Sequence, residues 1–256
     1  MSFALKRKFP NIYIIFKKFE KYIPAWTKLW DNKAYLVNLK IISMIRYWRH
    51  YPRLKAEADA VFQNYNGGDF IDIGAYQGVY SFLLAPKANK NDSFISCEPD
   101  PKIKKELLEN LILLRSLFRD INFSSLNIPV GNGEDVFKSE TDCGHPVFKK
   151  DKNIDIKNFN SNKIRSISVD EIVKKKDLNP KLIKIDVEGA ELNVLEGMIN
   201  VLKLNKPILM IEKHPTLIPT NAIIELIDDL LIKNGYKREI EIFKDDIAIT
   251  EIWKSS

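Results

Sequence analysis

Short apolar runs recur along the chain at Phe70-Ile71, Phe94-Ile95, Leu182-Ile183 and Ile208-Leu209-Met210-Ile211, each bounded by charge, glycine or proline. Runs of this length read as strands buried on both faces, as in a parallel sheet. Between them the spacing changes to that of helices. Val79, Phe82 and Leu83 share one face; Leu107, Leu111, Leu114 and Leu117 share another; Ala190, Val194, Leu195, Met198, Val201 and Leu202 form a third. The expected order is a strand at 70–73, a helix from Ala75 to Leu84, a strand from Ser93 to Glu98 stopped by Pro99, and a helix to Phe118 with Pro101 in its first turn. A third strand region covers Ile121 to Val130. A fourth strand, Leu182 to Asp186, is followed by a helix running to about Leu204, and a fifth covers Pro207 to Glu212. A helix from Asn221 to Asn234, closed by Gly235, precedes two alternating strands between Lys237 and Trp253 that turn around Asp245-Asp246. Strands alternating with helices until a final hairpin predict an α/β fold, a doubly wound, mostly parallel sheet with a late antiparallel strand.

Two stretches depart from this rhythm. Lys138 to Arg165 is polar, rich in Asn and Lys, and contains Cys143 and His145. A connection this long is commonly functional, and we expect a cover over the substrate. Upstream, Ala56 to Tyr65 reads as a helix that ends at Asn66-Gly67-Gly68. Ahead of it, residues 1–53 hold 12 Lys/Arg against Glu20 and Asp31, with 12 aromatic residues. Ile12, Ile15, Phe16, Phe19 and Ile23 fall on one helical face away from Lys17, Lys18 and Lys21; Pro24-Ala25-Trp26 ends that pattern, and Tyr35 to Tyr51 reads as a second helix. The expected division is a basic helical arm over 1–55 and a catalytic domain over 56–256. Such an arm can lie at an anionic membrane surface, pack on the domain, or cover a second subunit in an oligomer. Nucleic-acid binding is only weakly signalled.

Charge sharpens the contrast. The net +6 of the 256 residues comes from the arm, and the remainder has 28 Lys/Arg against 32 Asp/Glu. Two cysteines, Cys97 and Cys143, make no disulfide framework, and there is no C-x-x-C zinc pair. No run reaches the roughly 18 apolar residues of a spanning helix. A cytoplasmic location, with peripheral contact at the inner membrane face through the arm as an option, is the expectation.

The chemistry concentrates at strand ends, where open α/β sheets bind ligands. Asp72-Ile73-Gly74-Ala75-Tyr76-Gln77-Gly78 is a D-x-G-x-x-x-G turn, not the G-x-G-x-x-G of dinucleotide sites. An acid beside a glycine turn suits a cofactor with an amino-acid end and a cationic centre, which is S-adenosylmethionine. Asp72, Gly74, Ala75, Gln77 and Gly78 are the expected contacts; Glu98, 20 residues beyond Gly78, is placed for ribose hydroxyls, and Asn127 for the adenine edge. Asp186, Glu188 and His214 remain for catalysis, with His214 as base and Asp186 orienting it or the acceptor hydroxyl. A Lys184–Asp186 ion pair is the structural alternative, since the two share a strand face. No second and third metal ligand stand out beside Asp186, so no metal is expected. Ser168-Val169-Asp170-Glu171 is a capping box, with Asp170 at a helix start.

Ile185-Asp186-Val187-Glu188-Gly189-Ala190-Glu191, then Leu195-Glu196-Gly197 and Pro207 to Glu212, resembles the signature of the FkbM family of S-adenosylmethionine-dependent methyltransferases. Phe70 to Ala75 with Gly78, and Glu98-Pro99, are similar to that family's first two motifs, and the resemblance covers roughly residues 65 to 236. It implies a class I methyltransferase fold and methylation of a hydroxyl on a sugar, glycan or secondary metabolite. Pro129 departs from the alanine common at that position. The absence of a Pro-Pro tetrad argues against DNA amino-methyltransferases and that of Pro-Cys against cytosine-C5 enzymes, while a nicotinamide oxidoreductase is disfavoured by the glycine spacing and by the lack of a Ser/Tyr-Lys pair. The alternative from another class is a cofactor-binding module that docks through its arm.

Overall fold

The computed structural model describes residues 19–20, 23–134, 136–142, 145–150, 163–217 and 221–256. Among these, seven strands form one sheet: β3 (Asp69–Ile73), β4 (Ser93–Cys97), β5 (Asn122–Leu126), β9 (Pro180–Ile185), β10 (Ile208–Lys213), β11 (Tyr236–Lys244) and β12 (Ile249–Ser255). Their order is β11-β12-β10-β9-β3-β4-β5. β12 runs antiparallel between β10 and β11, and the pairings from β10 to β5 are parallel. The chain builds outward from β3 to β5 and then crosses to β9 on the other side of β3. That reversal opens a crevice at the carboxyl ends of β3 and β9.

The strands read as apolar runs because both faces are covered. Phe70, Phe94, Phe123, Leu182, Met210 and Ile252 pack on one side, with Phe94 edge-on to Phe70 and to Phe123 at 5.3 Å. Ile71, Ile73, Ile95, Ile183, Ile185, Leu209 and Ile211 pack on the other. Helices α2 (Pro52–Asn64), α3 (Val79–Leu84) and α4 (Pro101–Leu117) cover the first face; α5 (Val169–Lys176), α6 (Glu191–Glu196), α7 (Ile199–Leu204) and α8 (Asn221–Lys233) cover the second.

The segment from residue 23 onward is part of this body. β1 (Pro24–Lys28) and β2 (Ala34–Asn38) pair as a hairpin, and α1 (Leu39–His50) follows. Residues 35–38, expected to be helical, are strand. Tyr35 and Val37 suit a pleated surface, Asn32 takes a left-handed turn (φ 61°), and the Asn38 side chain accepts from Ile41 N at 3.0 Å, which starts the helix four residues late. Leu29, Val37, Ile41, Ile42 and Ile45 enter the same core as Phe70 and Phe82. Arg53 binds both Glu57 and Glu212, joining the start of α2 to the end of β10. The amphipathic helix expected from Ile12 lies outside the described residues apart from Phe19, Glu20 and Ile23. Among the described residues no helix is long and apolar enough to cross a membrane.

Two further expectations change. The 138–165 stretch is not irregular throughout: β6 (Val136–Asp142) pairs antiparallel with β7 (His145–Lys150) and with β8 (Lys163–Arg165) in a separate small sheet. The single helix expected to reach Leu204 is two, α6 and α7. They separate at Gly197, where a Cβ would lie 2.0 Å from the Gly131 carbonyl oxygen. Ser168 caps α5 through Glu171 N at 3.1 Å, whereas the Asp170 carboxylate reaches forward to Asn200 N (3.1 Å), Asn200 Nδ2 (2.9 Å) and Val201 N (2.9 Å). Asp170 therefore anchors the start of α7. Asp170→Ala is expected to cost about 1–2 kcal/mol and to lower Tm by about 2–6 °C in a thermal melt; an unchanged Tm would contradict the assignment.

Candidate active site

The crevice between β3 and β9 is a cavity of about 680 Å³, within the roughly 300–1,000 Å³ typical of ligand sites. Its floor is a backbone lattice. Gly74 N and Ala75 N both donate to Cys97 O (2.9 and 3.0 Å), and Asp186 N donates to Ile73 O at 3.0 Å. Gly74 has φ +81°, and a Cβ there would sit 1.7 Å from the Asp186 carbonyl oxygen. Only glycine fits. Gly78, also left-handed (φ 78°), caps the start of α3, which begins at Val79 and not at Ala75 because residues 74–78 form the turn.

Gly74, Ala75, Gln77, Glu98, Asp186 and Glu188 line the cavity, together with Pro99, Asp100 and the 128–130 segment. Glu98 accepts from Tyr76 N through Oε2 (2.9 Å) and from Asp100 N through Oε1 (2.8 Å). Those bonds fix the carboxylate and leave lone pairs for a ligand. Asn127 donates to Glu98 O at 3.2 Å and is not a lining residue; Ile128, Pro129 and Val130 line that edge in its place. Gly78 is likewise outside the lining.

Asp72, expected as a cofactor contact, lies deeper. It is 0% exposed, neither of its carboxylate oxygens has a hydrogen-bond partner, and it does not line the cavity. The contact expected of it is therefore not made by a side chain that lines the cavity. Burial, opposed by Lys184 and reinforced by the charges of Asp186 and Glu98, raises it to about 6. Its counter-ion is Lys184 Nζ at 3.7 Å, which also donates to Gly74 O (2.9 Å) and to Asp186 Oδ2 (3.0 Å). The Lys184–Asp186 pair foreseen as a structural alternative is thus real, and the same lysine ties the glycine turn to β9. Burial is the largest influence on Lys184 and would lower it, but the charges of Asp186 and Asp72 outweigh it and keep the group protonated.

At the other side, the loop after β9 carries Glu188 and Gly189 at positive φ (54° and 100°). Behind it His214 is buried, 5% exposed, among four carboxylates. Nδ1 lies 2.9 Å from Glu191 Oε1; Nε2 is 3.4 Å from Glu212, 3.6 Å from Glu188 and 3.7 Å from Asp186. Burial would lower its pKa, but the hydrogen bonds to Glu191 and Glu212 and the charges of Glu191 and Asp186 push it up to about 10. A ring already protonated at neutral pH is not a general base, and His214 does not line the cavity. Glu212 is held at about 2: burial would raise it, but the His214 hydrogen bond and the Arg53 charge prevail. Burial raises both Asp186 and Glu188.

The sequence showed no second and third metal ligand beside Asp186, yet Asp186, Glu188 and His214 each bring one ligand atom within 4.8 Å of the others, a spacing that can hold a divalent ion. Three further residues carry no sequence signal for the site. Met44, Tyr47 and Trp48 of α1 line the cavity. The aromatic character of Tyr47 and Trp48 is visible in the sequence; only the tertiary docking of α1 places them and Met44.

The sequence profile of the methyltransferase FkbM domain matches residues 72–244. The hexuronic acid methyltransferase AglP of Haloferax volcanii is 25% identical over 178 residues, which cover 68% of this chain and 69% of that protein. Among solved structures, the methyltransferase FkbM of Methylobacillus flagellatus KT superposes with a TM-score of 0.50 at 19% identity over 73% of this chain. The match spans 44% of that longer chain, and it supports the fold.

Proposed function

The chain belongs to the FkbM methyltransferase family, and from that premise we propose that it uses S-adenosylmethionine to methylate a hydroxyl of a sugar or glycan. The observation that carries this reading is the sharing of one cavity by the Gly74 turn and Glu98 on one side and by Asp186 and Glu188 on the other. When bound, the cofactor supplies an electrophilic methyl group on a cationic sulfur. The Gly74 turn brings bare backbone against the ligand, Glu98 is set for ribose hydroxyls, and Asp100 and Asp186 give the cavity the negative charge a sulfonium requires.

Asp186 is the residue assigned to take the acceptor proton. Lys184 holds Oδ2 and the protonated His214 faces Oδ1, so the carboxylate is oriented without being reachable by bulk solvent on all sides. Glu188, more exposed, is placed to bind a neighbouring hydroxyl. Holding acceptor and donor in line supplies the larger part of the rate, since the leaving group is already good. These acceptor-side carboxylates speak for a catalyst over a docking module.

They also favour a neutral hydroxyl over an acidic group. Glu98, Asp100, Asp186 and Glu188 line the cavity against Lys184, which Asp186 and Asp72 already occupy. A sugar carboxylate would meet like charge. The test is the product: labelled methyl transferred to a saccharide should survive mild alkali, as an ether does. Label released by alkali would mean a carboxyl ester and would overturn the hydroxyl assignment.

A further inference from the structure

The helix that completes this cavity lies outside the residues matched to the family, since α1 ends at His50 and the match begins at residue 72. Its place relative to the chemistry follows from a chain of contacts. Trp48 meets the Tyr80 ring edge-on at 5.2 Å, Lys184 Nζ lies over that ring at 5.3 Å, and Lys184 holds Asp186 at 3.0 Å. The α1 residues thus border the part of the cavity that holds Lys184 and Asp186.

α1 buries Ile41, Ile42 and Ile45 in the core, yet it leaves Tyr47 and Tyr51 52% and 53% exposed, their ring centroids 4.4 Å apart. A pair of touching aromatic rings left in water beside a cavity is not demanded by the fold. The helix that carries them is firmly held, by the Asn38 cap and by Arg49 Nη2 donating to Leu29 O at 3.0 Å. We propose that Tyr47, extended by Tyr51 and sharing the cavity wall with Trp48, is a stacking platform for the C–H face of a hexopyranose ring, and that α1 selects the acceptor. The inference rests on the methyltransferase reading of the cavity and deepens it by naming the acceptor's shape.

The chemistry of the two walls fits that one class. A pyranose ring has an apolar C–H face, which is attracted to the electron-rich face of an aromatic ring, and a rim of hydroxyls, which carboxylates accept. Here rings and carboxylates line one cavity. The platform costs little to use, because two tyrosine rings in tilted contact at the end of an anchored helix have little freedom to lose on binding.

Saturation-transfer NMR on the full-length protein, saturated with S-adenosylhomocysteine, tests this with methyl gluco-, galacto- and mannopyranoside as probes. At least one should show saturation concentrated on the protons of one ring face. Tyr47→Ala should weaken that probe about five- to tenfold, whereas Tyr47→Phe, which keeps the ring, should bind as the parent does. Neither change should alter Tm or the calorimetric affinity for S-adenosylhomocysteine. If the parent binds S-adenosylhomocysteine but no hexopyranoside, or if Tyr47→Ala binds the sugar unchanged, the platform is refuted while the methyltransferase reading stands. Preferential binding of catechol over every sugar would also refute it, as an aromatic acceptor site. Failure of the parent to bind S-adenosylhomocysteine would strike the underlying reading itself.

Discussion

Gly74→Ala is expected to destabilise the protein by about 2–5 kcal/mol and to remove measurable binding of S-adenosylhomocysteine. Two costs combine. A side chain at φ +81° pays the left-handed penalty of roughly 1–2 kcal/mol, and a methyl group forced against its surroundings adds about 1–3 kcal/mol. The second cost cannot be evaded by a side-chain rotation, because the obstacle is the Asp186 carbonyl oxygen at 1.7 Å. Asp186 is pinned by its own N donating to Ile73 O, and Gly74 by its own N donating to Cys97 O. Relief therefore means parting the ends of β3 and β9, the two strands between which the cavity opens. Gly235→Ala is the control: its φ is +80° but nothing lies within 4 Å of the added Cβ, so only the conformational cost of about 1 kcal/mol should appear. Urea unfolding of the two variants measures the difference. Equal losses would show that the Gly74 contact is not what shapes the turn.

The second large effect is on turnover. Asp186→Asn should lower kcat by about 10²–10⁴ with S-adenosylhomocysteine affinity within about threefold of the parent. Asparagine keeps the shape and an acceptor oxygen for Lys184, whose bond to Gly74 O at 2.9 Å and counter-ion Asp72 both remain. What is lost is the capacity to take a proton. Glu188→Gln should cost less, mainly in acceptor KM, because Glu188 is more exposed and lacks the Lys184 clamp. A kcat for Asp186→Asn within about threefold of the parent would remove Asp186 from the proton-transfer role.

How far the sequence could be read depended on where each signal was stored. Buried parallel strands announce themselves, so Phe70-Ile71, Phe94-Ile95 and Leu182-Ile183 marked the sheet, and the lone β12 reversal followed from the final hairpin pattern. The Lys184–Asp186 pairing followed from the pleat alone. Depth did not. A motif places Asp72 at a strand end but cannot tell that its carboxylate lies sealed beneath the turn with Lys184 for company. His214 misled for a related reason: its behaviour is set by Glu188, Glu191, Asp186 and Glu212, which arrive from three separate elements. That Glu191 is the Nδ1 partner of His214 is knowledge only the packing of α6 against β10 provides. Likewise the Asp170 carboxylate anchors the start of a helix 30 residues on, while Ser168 caps the helix Asp170 belongs to. The aromatic content of residues 24–51 was plain, but it was the burial of Ile41, Ile42 and Ile45 that turned a supposed appendage into a wall of the cavity.

The most direct measurement is calorimetric titration of the full-length protein with S-adenosylhomocysteine, run in parallel on Gly74→Ala and Asp186→Asn. The account predicts one site per chain in the parent and in Asp186→Asn, and none in Gly74→Ala. A folded parent that takes up no S-adenosylhomocysteine would contradict it.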